Sequence, residues 1–204
     1  MKKTEIKSKV QSLMNSYNEV KKDVITQITN WQKDTVYSVE HKNERIKELQ
    51  NEAAQYDSVF NKKLADIITE EKKTIIDEPK ETPADYQVRI SNALKLLELA
   101  GNKLTDDQAY SIMKPFQGDY ETMALFHAVV TGLTEGNGVY GTFNKTFEKT
   151  NDFMVLINSF ELAEKAAKNL FNFTDSSFQA GIKINLFMGS VSEIEKLVNR
   201  FEAA

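Results

Sequence analysis

The sequence predicts an all-α protein with two parts. A long amphipathic, coiled-coil-like arm covers residues 1–78, and a compact multi-helix domain covers residues 84–204. Three observations carry this expectation. Residues 1–78 hold no glycine and no proline, whereas all eight glycines and all three prolines come later. Apolar residues in the first part return at steps of three and four, the spacing of one helix face. Ten of the twelve phenylalanines fall between Phe116 and Phe187, which concentrates core-forming side chains in the second part.

The first apolar row reads Ile6, Val10, Leu13, Tyr17, Val20, Val24, Ile28 and Trp31. The second reads Ile46, Leu49, Ala53, Tyr56, Phe60, Leu64 and Ile67. Both return to one face about every 3.5 residues, as a coiled-coil seam does. Lys, Glu, Gln, Asn and Ser fill most positions between, so each row needs a covering surface. The rows fall out of phase between Asp34 and Asn43, where Thr35-Val36-Tyr37-Ser38-Val39 is rich in β-branched residues that fit a helix poorly. One reading is a single helix of roughly 70 residues, about 100 Å long at ~1.5 Å per residue, with a stutter. The other is an antiparallel hairpin turning near residues 34–43.

Pro79 and Pro83 lie within five residues and end the arm, so residues 79–83 are read as a linker. Beyond it, Thr82 is expected to cap a helix with Pro83 at its first position and Gly101 at its end. Thr105-Asp106-Asp107 opens a short helix that stops at Pro115. Asp119 opens another through Met123, Phe126 and Val130, ending at Gly132. A glycine-rich loop follows, and then a longer helix over Asn151–Asn172. Thr174 and Ser190 are read as further N-caps, with Ser190-Val191-Ser192-Glu193 in capping-box spacing. Ile182-Lys183-Ile184-Asn185-Leu186 alternates as a strand would, but no strand partner is visible, so it is read as helix.

The charges nearly balance, with 26 Lys+Arg against 30 Asp+Glu, a net −4. Residues 1–78 hold equal numbers of each sign, intermixed as on a solvated helix. That argues against a nucleic-acid partner, which selects for a basic face. The absence of cysteine excludes disulfides, zinc-thiolate sites and a thiol nucleophile. The first residues have no apolar run of a secretory signal, and no stretch approaches the ~20 apolar residues of a membrane span. The expectation is a soluble, cytoplasmic protein, with a virion-associated location as the alternative.

Chemistry-bearing patterns are sparse. Gly136-Asn137-Gly138-Val139-Tyr140-Gly141 fits G-x-G-x-x-G. A dinucleotide site also needs a strand before it and a helix directly after, and here a helix precedes. The segment is therefore read as an interhelical loop, with Gly136, Asn137, Gly138, Tyr140 and Gly141 kept as a partner-recognition candidate. The two histidines, His41 and His127, belong to no Glu-x-x-His pair, so no metal site is expected. Asp106-Asp107 is explained by the helix dipole. No cofactor and no catalytic residue is expected. Trp31 is read as a packing contact.

In build, lack of cysteine and Lys/Asn-rich composition, the chain is similar to small acidic helical scaffold and virion-associated proteins of phages that infect Gram-positive bacteria. The arm's stripes must pair with a second copy, fold back on the chain or dock on a partner, so the first reading is a non-enzymatic structural or assembly protein that self-associates, as the resemblance also implies. The oligomerisation or partner seam would be the two apolar rows, Ile6 to Trp31 and Ile46 to Ile67. A regulatory or adaptor module docking a cellular protein is the alternative, and a nucleotide-binding enzyme using the 136–141 glycine loop is the third reading. Removing residues 1–78 is expected to leave a folded remainder that has lost self-association.

Overall fold

The computed structural model describes residues 5–76, 83–117, 119–136 and 144–202. Every regular element among them is helical: α1 (Ile6–Lys33), α2 (Val39–Ile75), α3 (Tyr86–Ala100), α4 (Asp106–Met113), α5 (Tyr120–Gly136), α6 (Asn144–Ala167) and α7 (Ser177–Glu202). Short 3-10 turns, Gly101–Lys103 and Lys114–Phe116, follow α3 and α4. The chain divides into two compact units. One joins Met1–Lys72 to Ser159–Ala204, and the other is Lys73–Asn158.

The discontinuous unit decides between the two readings of residues 1–78. α1 and α2 form an antiparallel hairpin: the Lys9 ammonium meets the Glu71 carboxylate at 2.5 Å, and the Tyr17 ring lies 5.4 Å from that of Phe60. No glycine is needed at the turn because side chains satisfy its backbone. Asp34 Oδ1 accepts from the N–H groups of Val36 and Tyr37, and Ser38 Oγ accepts from that of His41. These are the Asx and Ser/Thr devices that replace a backbone turn.

The covering surface that the apolar rows require is supplied by the same chain. α7 packs on α1, and the α6–α7 connection lies on α2. Ile6, Val10, Met14, Tyr17 and Val24 of α1 are buried, as are Leu49, Ala53, Phe60, Leu64 and Ile68 of α2. The expected rows are thus close but shifted. Met14 and Ile68 are buried where Leu13 and Ile67 were expected, and Tyr56 is exposed. A straight helix repeats every 3.6 residues, so a row drawn at 3.5 drifts by about 20° per heptad. Leu13, Val20, Ile28, Trp31 and Ile46 are half-buried at the margins.

The division at residue 79 differs in the same way. Residues 159–204 were expected in the compact second domain, but they fold with the hairpin. Sequence separation hid this, since Lys7 N–H donates to Glu195 Oε1 at 3.0 Å across 188 positions. That contact also explains how α1 begins. Its N-cap Glu5 makes no side-chain cap and its first turn holds no acidic residue, so α7 supplies the carboxylate that a helix N-terminus favours.

The second unit carries α3, α4, α5 and the first part of α6. Its buried residues include Ile90, Ala93, Leu97, Met113, Phe116, Met123, Phe126 and Phe153. α3 begins at Tyr86, later than the expected start; Thr82 lies outside the described residues, and Gly101 ends the helix at φ 45°. Thr105 caps α4 as expected, with Gln108 completing the capping box. α5 continues to Gly136 rather than ending at Gly132, because one helical glycine costs only about 1 kcal/mol. α6 begins at Asn144 and ends at Ala167, earlier at both ends than expected.

The expected cap at Ser190 is absent. α7 runs unbroken through it, and its hydroxyl donates to Leu186 O. The capping box lies instead at Ser176 and Gln179, two residues beyond Thr174. The alternating stretch 182–186 is helical, as expected.

Candidate functional site

Three constellations of side chains merit description, two in the discontinuous unit and one in the other. The first is an internal clamp. Asp57 and Asn61 stand one turn apart on α2 and hold the connection between α6 and α7. Asn61 Nδ2 donates to Phe171 O and Asn61 Oδ1 accepts from Phe171 N–H, both at 2.8 Å. Asp57 Oδ2 accepts from Phe173 N–H at 2.8 Å, and Asp57 Oδ1 accepts from the Tyr17 hydroxyl at 2.6 Å. The rings of Tyr17, Phe60 and Phe171 pack together beneath, and the Lys21 ammonium lies over Phe173. Burial pushes the Tyr17 phenol far above its usual range, and the bond to Asp57 adds to the shift. Every polar partner here is taken up within the chain, so the clamp reads as structure.

The second is the hairpin tip. Trp31 lies against Tyr37 and His41, with ring centroids 5.4 and 5.8 Å away, and the Arg45 guanidinium sits 5.9 Å from its ring. Trp31 is therefore a packing residue, and His41 is exposed beside it. Val36 and Val39 are exposed at the same tip.

The third is in the other unit. The Tyr86 hydroxyl donates to Asp119 Oδ2 at 3.1 Å, tying the start of α3 to the start of α5. Asp119 also accepts from Thr122, through its N–H and its hydroxyl. Further along, Glu98, Ala128, Val129 and Gly132 line a shallow groove of about 390 Å³ between α3 and α5. Val88, Leu96 and Leu99 of α3 and Leu125 of α5 are exposed. His127 Nδ1 lies 3.0 Å from Thr150 Oγ1, and burial pulls the imidazole below its usual pKa.

The residues expected to form a partner seam are mostly brought together, but inward. Of the candidate loop, Gly136 closes α5, while Asn137, Gly138, Tyr140 and Gly141 lie outside the described residues. Asp106 and Asp107 occupy the first turn of α4. Among the described residues, no three His, Asp or Glu side chains are grouped so as to hold a metal ion. No described helix is long and apolar enough to cross a membrane.

Sequence reasoning missed the exposed apolar side chains of α7: Phe178, Ile182 and Leu186. Their four-residue spacing is present in the sequence, but Ile182, Ile184 and Leu186 also alternate as a strand would, which masks it. No protein-family model, no curated protein and no solved structure matches the chain.

Proposed function

We propose that this chain is a non-enzymatic structural or assembly protein that works by contact with other protein surfaces, its own copies included. The observation that supports the reading is apolar surface left outside on ordered helices. After both hairpin rows are covered internally, Leu99 remains 84 % exposed on α3, and large apolar side chains also face solvent on α5 and α7. Water disfavours such surface, and grouped apolar side chains on a folded domain commonly mark an interaction site. A phage or prophage scaffold-like or virion-associated role is one form of this reading.

The hairpin rows no longer supply the reason for self-association, because the chain itself covers them. What remains is the outward face of the helices. Sedimentation velocity of the full chain, from about 1 µM to about 500 µM, tests the proposal across the range of weak to moderate affinities. The expected result is a mass that rises with concentration above the 23.2 kDa of one chain. A constant monomer mass would reject self-association. Crosslinks from that monomer to one defined cellular protein would favour the adaptor reading.

A further inference from the structure

α7 has two faces with different fates. Phe187, Val191, Ile194, Leu197 and Val198 are buried. Phe178, Ile182 and Leu186 stand on the other side of its first half, 75, 46 and 69 % exposed. Residues four apart on a helix lie above one another, so the three form one row about 12 Å long. Gly189 extends that row, and a Cβ placed there would meet nothing within 4 Å. The Ser176–Gln179 capping box fixes the start of the helix next to the row.

The charge around the row selects among possible occupants. Between Ser177 and Ser190 the only charged side chain is Lys183. Its ammonium is paired with Asp175 at 2.6 Å. An anionic membrane surface or a polyanion is held by clustered Lys and Arg, which residues 177–190 do not supply. A strongly charged protein partner would be selected by complementary charge, which is equally missing. A second copy of the chain meets neither problem: it brings the same uncharged apolar row, and the one ammonium beside it, Lys183, is already neutralised by Asp175.

We propose that the Phe178–Ile182–Leu186 row is a self-association surface on which a second copy docks antiparallel, about a two-fold axis near Ile182. Two-fold pairing uses one patch twice, so Phe178 meets Leu186 of the partner subunit and the reverse contact forms by symmetry. Gly189, seven residues beyond the axis, leaves room for the segment that precedes α7 in the second copy. The three side chains expose on the order of 350 Å² per copy, given the 150–250 Å² that a large aromatic buries. Two copies then cover roughly 700 Å² from these rows alone. Flanking Gln179 and Asn185 bring the total towards the low end of specific interfaces, about 1,200 Å², as for a reversible dimer.

This inference rests on the contact-protein reading and narrows it to one surface, so the test separates the two. Sedimentation velocity of the full chain is compared with Gly189→Glu, which sets a carboxylate against Asp175 of the second copy, and with Phe178→Ser/Leu186→Ser. Gly189→Glu enters open space and removes a helical glycine, so its circular dichroism and melting temperature should not fall. The wild type is expected to form dimers, and each variant to raise the dimer dissociation constant at least tenfold. Association that persists unchanged in both variants would overturn this surface and leave self-association standing. A wild type that stays monomeric throughout would overturn both. Flotation with anionic vesicles that depends on Phe178 and Leu186 would overturn the choice of a second copy as occupant.

Discussion

Asn61 treats Phe171 as a neighbouring β-strand would, donating to its carbonyl and accepting from its N–H. A side-chain amide can do this because it carries a donor and an acceptor at nearly the spacing of a peptide group. Replacing it by leucine leaves two polar backbone groups without partners, at about 1–3 kcal/mol each if water cannot reach them. Asn61→Leu should therefore lower the urea midpoint clearly, while Asn61→Gln keeps the same groups and should lose less. Thr131 offers the opposite case. Its hydroxyl is buried with no hydrogen-bond partner among the described residues, so Thr131→Val should raise the melting temperature slightly. Titration follows the same logic. Tyr17 and Tyr86 both have raised pKa values, chiefly through burial, so the folded state holds their protons longer than the unfolded chain does. Their contribution is complete below the ordinary phenol pKa of ~10 and is lost as pH rises above it. Tyr17→Phe should flatten that alkaline loss, as read from denaturant midpoints between pH 9 and 11. His127 has the opposite sign. Its lowered pKa means stability is complete above about 6.5 and falls as the solution is acidified below that value.

At the scale of elements, helix starts show what a sequence can and cannot disclose. Thr105 was legible because its cap is local, with Gln108 three residues on. The start of α1 was not legible, because the carboxylate that meets its first turn is Glu195. Glu195→Gln should cost on the order of 0.5–1 kcal/mol by weakening that interaction, measured by chemical denaturation. The hairpin turn was half legible: the phase break at 34–43 is plain, but the turn carries no glycine and is held by Asp34 and Ser38. The false cap at Ser190 arose from the converse error. Ser-x-x-Glu spacing occurs within helices too, and only Gln179 meeting Ser176 makes a box in α7. Apart from Tyr56, which is exposed, the burial rows were legible to within about one position, and the errors at Leu13 and Ile67 reflect a coiled-coil period applied to helices packed within one chain. Gly132→Ala and Gly189→Ala should each stabilise their helix by about 0.5–1 kcal/mol, since the added methyl meets nothing.

For the whole molecule, the helical class was readable from composition and periodicity, but the grouping of helices was not. Periodicity reports that a face is covered, not which residues cover it. The hairpin and residues 159–204 complete one unit across the intervening segment. Removing residues 1–78 therefore should not leave an intact remainder, contrary to the sequence expectation. α7 loses α1, and the 171–173 connection loses Asp57 and Asn61. Circular dichroism of such a truncation should show helix loss beyond the deleted residues. Helix content matching 84–204 in full would refute this.

The discontinuous unit also sets a timetable for synthesis. The ribosome releases the hairpin first, then the 86 residues from Lys73 to Asn158, and only then the helices that cover it. At 5–20 residues per second, that delay is roughly 4–17 s. Throughout it the nascent hairpin carries Tyr17 and Phe60 without Phe171, the ring that finally covers them. The cell must tolerate, or shield with a chaperone, an apolar intermediate that the finished protein conceals.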